Sequence, residues 1–114
     1  MAAVTPEHVT RYADMLAAMG AEARLRIVRL LLAAHPTGMI AGDIGTKLDI
    51  AASTLSHHLD RLKREEVVKA RREGTFLWYT ANTEALQQLL GFLYAECCTR
   101  NKALKPSDIV QICK

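Results

Sequence analysis

The chain has 114 residues, of which 50% are apolar, 24% charged and 5% aromatic, the composition of one globular domain and not of a disordered or fibrous chain. Fifteen Lys and Arg against twelve Asp and Glu leave a net charge of +3. A domain this small builds a core but has little volume for a deep catalytic pocket, which favours a binding module, and an oligomer, over an enzyme.

Residues 6–19 carry Val9, Tyr12, Leu16 and Met19 at spacings of three and four, with Pro6 at the start and Gly20 at the end, and predict a first amphipathic helix. Residues 22–34 predict a second, with Leu25, Val28, Leu31 and Leu32 on one side, broken by Pro36-Thr37-Gly38. A short third helix follows Gly42-Asp43 and holds Ile44 and Leu48. The fourth runs from about Ala52 to Glu65, where Leu55, Leu59 and Leu62 form an i, i+4, i+7 stripe. The period then changes. Residues 67–72 and 75–81 are rich in β-branched and aromatic side chains and predict a β-hairpin turning at Glu73-Gly74. Asn82 is placed to cap a last helix whose stripe is Leu86, Leu89, Leu90, Leu93 and Cys97. The tail is polar from Asn101 to Pro106, after which Ser107-Asp108 starts one short turn ending at Cys113.

The predicted fold is mainly α (α+β), in the order α-α-α-α-β-β-α. Only a few residues separate helices three and four, as in a helix-turn-helix, and the basic hairpin after them makes a wing. Residues 1–100 form the winged helix-turn-helix domain, and residues 101–114 a C-terminal tail.

The charge is not spread evenly. Residues 61–77 hold Arg61, Lys63, Arg64, Lys69, Arg71 and Arg72 against Glu65, Glu66 and Glu73, and so carry the whole net +3. In a helix-turn-helix the second helix enters the DNA major groove, its N-terminal residues toward base edges. Those residues are Ser53, Thr54, Ser56 and His57, opposite the leucine stripe. Hydroxyls and an imidazole can hydrogen-bond bases or phosphates. Arg61, Lys63 and Arg64 fall two turns further on, near backbone phosphates, and Arg71 and Arg72 would touch phosphate or minor groove from the hairpin. His57 and His58 point about 100° apart on a helix, so one metal ion would not take both. His57 is read as outward, and His58 as at least equally a packed or hydrogen-bonded structural residue.

Three cysteines, Cys97, Cys98 and Cys113, make an odd count that argues against a disulfide framework. Adjacent Cα atoms lie ~3.8 Å apart, too close for an unstrained bridge between Cys97 and Cys98. The start, MAAVTPEHVT, lacks a signal peptide's basic and apolar segments, and no apolar run approaches the ~20 residues that span a bilayer. The expected location is the cytoplasm, where thiols stay reduced.

The run Ala52-Ser53-Thr54-Leu55-Ser56-His57-His58-Leu59, the earlier Ala23-Arg24-Leu25-Arg26-Ile27-Val28, and Arg72-Glu73-Gly74 with Tyr79 resemble the ArsR/SmtB family of bacterial transcriptional repressors, over roughly residues 10–98. The resemblance implies a homodimer built on the first and last helices that binds double-stranded operator DNA and leaves it when a metal or metalloid binds. It places DNA contacts on Ser53, Ser56, His57 and on Arg71 or Arg72. The chain departs from the family at Ala51 and Ala52, where a capping Ser is common, so the cap shifts to Ser53 or the helix start frays. It departs again at Thr75, where the wing often has Arg.

In that context the cysteines read as a sensor. Three soft thiolates select soft ions, and As(III) or Sb(III) is satisfied by three sulfurs in a pyramid, whereas structural zinc wants four Cys or His ligands. Cys113 lies fifteen residues beyond Cys98, so ~50 Å of chain lets it reach its own pair or that of the partner subunit. The best-known arsenic site of the family lies on the third helix, and residues 38–44 here hold no cysteine. The family's zinc pattern of Asp and His on the last helix is missing too. Glu96-Cys97-Cys98 instead resembles members whose last helix ends in paired cysteines. Capture of the tail would shift the two subunits so that their recognition helices no longer match successive grooves. No other cofactor is required. The alternatives are a repressor sensing cadmium, lead or thiol oxidation, or an interaction module that never touches DNA. An arsenate reductase or methyltransferase lacks support, because the chain has neither a Gly-rich cofactor loop nor a Cys/His nucleophile pair.

Overall fold

The computed structural model describes the backbone of residues 6–100 and the side chains of residues 6–95. The elements are α1 (Pro6–Met19), α2 (Glu22–Ala33), β1 (Met39–Ile40), α3 (Ala41–Leu48), α4 (Ala52–Arg64), β2 (Val68–Glu73), β3 (Phe76–Ala81) and α5 (Thr83–Arg100). The predicted winged helix-turn-helix stands, with one strand added. β1 joins the hairpin in a three-stranded antiparallel sheet of order β1-β3-β2, pairing Met39 with Tyr79 and Ile40 with Trp78. The predicted turn from Ser107 and the sensor position Cys113 lie outside the described residues.

By its internal contacts the chain divides after Asn82 into a larger unit and a second one that begins with α5. In the larger unit the core is Met15 and Ala18 from α1, Ile27, Val28 and Leu31 from α2, Ile44 from α3, the three leucines of α4, and Val67, Val68, Tyr79 and Ala81 around the sheet. This corrects the expected inward face of α1. Met15 and Ala18 are buried, while Val9 and Leu16 from the predicted stripe are 49% and 44% exposed. On α2, likewise, Leu25 and Leu32 face outward while Ile27 joins Val28 and Leu31 inside. Both helices carry two apolar rows, and sequence periodicity alone does not say which row the core takes.

The chain crosses from α2 into β1 through Gly38, whose φ is +83°. A Cβ there would sit 2.3 Å from the Tyr79 carbonyl oxygen, so only glycine lets this segment lie against β3. The α3–α4 turn is equally short. Asp49 adopts the left-handed conformation (φ +56°), and the Ile50 amide donates to the Gly45 carbonyl at 2.9 Å. In the hairpin, Glu73 pairs with Phe76, so the turn is Gly74-Thr75, one residue later than expected. Positive φ at Gly74 alone fits a type II′ turn, whose twist suits the strands. Between α4 and β2, Glu66 takes positive φ, and the Asn82 side-chain amide donates to its carbonyl at 2.8 Å. The Asn82 backbone amide donates to Val67 at 2.9 Å. No described helix is long and apolar enough to cross a membrane.

Tyr79 lies in this core, and burial first, then the Asp60 carboxylate, raises its phenol above the ordinary tyrosine value. The folded chain therefore holds this proton longer than the unfolded one. The stability it contributes is complete below the unfolded tyrosine pKa of about 10 and is lost as pH rises through the higher folded value. Melting temperatures are expected to fall above pH 10, and Tyr79→Phe to lessen that fall.

Candidate nucleic-acid interface

Helix α4 sorts its residues by period. Leu55, Leu59 and Leu62 are 2%, 1% and 0% exposed, while Ser53, Thr54, Ser56 and His57 all face solvent. The helix starts at Ala52 with Ala51 in the cap position, extended and making no side-chain hydrogen bond. The expected shift of the cap to Ser53 does not occur. Ser53 sits inside the first turn, and no cap role occupies its hydroxyl. Steps of 100° put Ser53, His57, Asp60 and Arg64 on the side opposite the leucines. Asp60 was not among the expected contacts, although the same angular count would have found it. Its exposed carboxylate repels phosphates but can accept a hydrogen bond from a cytosine amino group.

Arg61, Lys63 and Arg64 occupy the last turn of α4, where they also complement the helix dipole. Lys63 and Arg64 are exposed and Arg61 is half-buried. His58 takes the structural role. Its Nδ1 lies 3.3 Å from Nη1 of Arg24, and the Arg24 Nε donates to the Ala18 carbonyl. Arg24 on α2 thus links the end of α1 to the recognition helix, which accounts for the arginine in the run Ala23-Arg24-Leu25.

On the hairpin the two arginines part company. Both are exposed, but Arg72 pairs across the ladder with Leu77 and its side chain makes no ion pair or hydrogen bond among the described residues. Arg71 is engaged: it forms an ion pair with Glu73 at 2.9 Å and donates to the Thr37 carbonyl at 3.0 Å. Its guanidinium also lies 5.6 Å from the centroid of the Trp78 ring.

Cys97 and Cys98 fall near the end of α5. Their side chains, like Cys113, lie outside the described residues. Among the described residues no group of three His, Cys, Asp or Glu side chains could hold a metal ion.

Residues 19–71 match the helix-turn-helix domain family, the span from the end of α1 into β2. The transcriptional activator HlyU of Vibrio cholerae is 30% identical over 88 residues, covering 77% of this chain and 79% of HlyU. Its solved structure superposes with a TM-score of 0.63 at 32% identity, over 80% of this chain and 99% of HlyU, and HlyU has also been solved in its reduced form. The homodimeric winged helix-turn-helix DNA-binding domain of Mb0332 from Mycobacterium bovis, a possible ArsR-family regulator, matches at 25% identity and TM-score 0.64, over 89% of this chain and 94% of that one. The chain belongs to the ArsR/SmtB family. The transcriptional repressor SdpR of Bacillus subtilis is 40% identical over 55 residues, 48% of this chain but only 61% of SdpR. ArsR/SmtB proteins are winged-helix, DNA-binding transcriptional regulators and not enzymes, and in this member the wing and α4 lie in the larger of the two units.

Proposed function

We propose that this ArsR/SmtB regulator is a cytoplasmic repressor that binds operator DNA as a homodimer. It releases the operator when As(III) or Sb(III) is held by the thiolates of Cys97, Cys98 and Cys113. The observation that carries the DNA half is the exposed set Ser53, Ser56 and His57 on one helix, with Ser53 and His57 opposite three buried leucines and Ser56 on the flank. That set can enter a major groove without disturbing the core. Lys63, Arg64 and Arg72 supply phosphate contacts. The homodimer rests on exposed apolar residues that each unit carries: Val9 and Leu16 on α1, and Leu93 and Tyr94 on α5.

The sensor half rests on donor chemistry. Three sulfurs satisfy a trivalent metalloid, forming three As–S bonds as three As–O bonds are lost with water, and nothing is oxidised. Thiol oxidation is the second reading, favoured by the likeness to HlyU, which has been solved in a reduced form.

The test is an anisotropy titration of a labelled duplex, selected from a random pool, against wild type and the Cys97→Ser, Cys98→Ser and Cys113→Ser variants. Arsenite and antimonite are expected to release wild type at micromolar concentrations and to leave the three variants on DNA, with drug-free affinity unchanged. Release of the variants by arsenite removes the thiolate assignment. Release of wild type by peroxide but not by arsenite establishes the oxidation reading instead.

A further inference from the structure

Arg71 spans the outer face of the sheet. It stands on β2 directly across from Trp78 on β3, and its guanidinium lies over the Trp78 ring at 5.6 Å from the centroid. Beyond Trp78 it donates from Nη2 to the Thr37 carbonyl, in the segment that leads into β1. Nε donates back to Glu73 at 2.9 Å, on the residue before the Gly74-Thr75 turn. The sheet order is β1-β3-β2, so this one side chain ties the two hairpin strands to the entry of the third. Strand alternation puts Arg71 and Glu73 on one face and Arg72 on the other.

We propose that Arg71 is a positioning residue of the wing and not a DNA contact. It sets the inclination of the hairpin against the helix-turn-helix, so that Arg72 meets the phosphates. This inference rests on the reading of the wing as a DNA-binding element. Three features favour it. One face of the guanidinium is turned to Trp78 and two of its N–H groups are already donated, though the side chain stays 45% exposed. The Glu73 carboxylate, which would repel a phosphate at the hairpin tip, is neutralised by the same group. Arg72, by contrast, has a guanidinium with no internal partner among the described residues.

Trp78 is the chain's one tryptophan, so intrinsic emission reports on this cluster without a label. The test is a double-mutant cycle of Arg71→Met and Trp78→Leu, with affinity for the selected duplex measured across a range of salt. Each single variant is expected to bind about fivefold more weakly, and the double variant no more weakly than either, because both break the same brace. In the free protein, Arg71→Met raises quenching of Trp78 by acrylamide. Arg72→Met leaves that emission unchanged and lowers the salt slope by about one.

Two results overturn the proposal. One is that Arg71→Met costs as much affinity in the Trp78→Leu background as in wild type and lowers the slope there by about one, as a phosphate contact would. The other is that Arg71→Met binds like wild type. Should Trp78→Leu fail to fold, the cycle runs with Glu73→Gln, where the brace predicts weaker or equal binding and simple charge removal predicts tighter binding. Absence of salt-dependent binding by wild type is a different outcome, and it overturns the DNA-binding reading itself.

Discussion

Gly38→Ala is expected to lower the melting temperature by more than 10 °C, or to prevent folding. Two costs add at this position. Its φ of +83° is one that side chains rarely adopt, which costs roughly 1–2 kcal/mol. The new Cβ would also lie 2.3 Å from the Tyr79 carbonyl oxygen and 2.6 Å from Cγ2 of Thr80. A backbone oxygen cannot swing away as a side chain does, so the segment must lift off β3. That breaks the pairing of Met39 with Tyr79 and Ile40 with Trp78 and loosens the start of α3. A combined cost of about 3 kcal/mol corresponds to ~12–24 °C in a domain of this size. Gly74→Ala is the matched control. Its φ is +63°, but an added Cβ meets nothing within 4 Å, so only the conformational cost of roughly 1–2 kcal/mol is expected. Melts of the two variants followed by circular dichroism decide the matter. Equal losses would show that contact with β3 has no part in the requirement for glycine.

Leu16→Glu is expected to turn the proposed dimer into a monomer while leaving each subunit folded. Leu16 is 44% exposed within its own chain, and its row on α1 includes Val9 at 49%. A carboxylate there stays hydrated in the monomer but would be stripped of water in a subunit interface, at several kcal/mol. A dimer reads two half-sites one helical turn apart, and joining two binding modules raises affinity by ~10²–10⁴ over one alone. Binding of the selected duplex should accordingly weaken by about a thousandfold. Light scattering after gel filtration would report the mass, and far-ultraviolet circular dichroism the fold. A variant that remains dimeric would move the interface away from α1.

Much of this fold was legible because its signals are local and repeated. The Leu55–Leu59–Leu62 stripe, the breaker Pro36-Thr37-Gly38 and the change of period after Glu66 each name an element without reference to the others. The misses share the opposite character. β1 is two residues long, too short for any period, and exists because Gly38 lets the chain lie against β3. The inward face of α1 could not be read because Val9 and Leu16 are as apolar as Met15 and Ala18, and only the neighbouring helices choose between the rows. The hairpin turn slipped by one residue because Glu73-Gly74 and Gly74-Thr75 are both plausible two-residue loops. Only the pairing of Glu73 with Phe76 separates them.

At the candidate interface the recognition residues followed from helical arithmetic, and Asp60 was available to the same arithmetic. The separate duties of Arg71 and Arg72 were not. Adjacent arginines look alike in a sequence, and what distinguishes them here is Trp78, Glu73 and the Thr37 carbonyl on one face of a sheet. The role of Arg24 was hidden in the same way, since its contacts with Ala18 and His58 join three helices.

Helix α3 has the weakest local support in the larger unit. It has eight residues, two of them glycine, its cap position Ile40 makes no side-chain hydrogen bond, and Ile44 is its single buried residue. Each glycine costs a helix interior about 1 kcal/mol, and no isolated helix of this length persists in water. Its order is therefore borrowed from α2, α4 and the sheet, against which the fully buried Ile44 holds it. The reading helix is thus anchored through its leucines, while the turn that leads into it is held by tertiary contacts and not by the helical preference of its own residues.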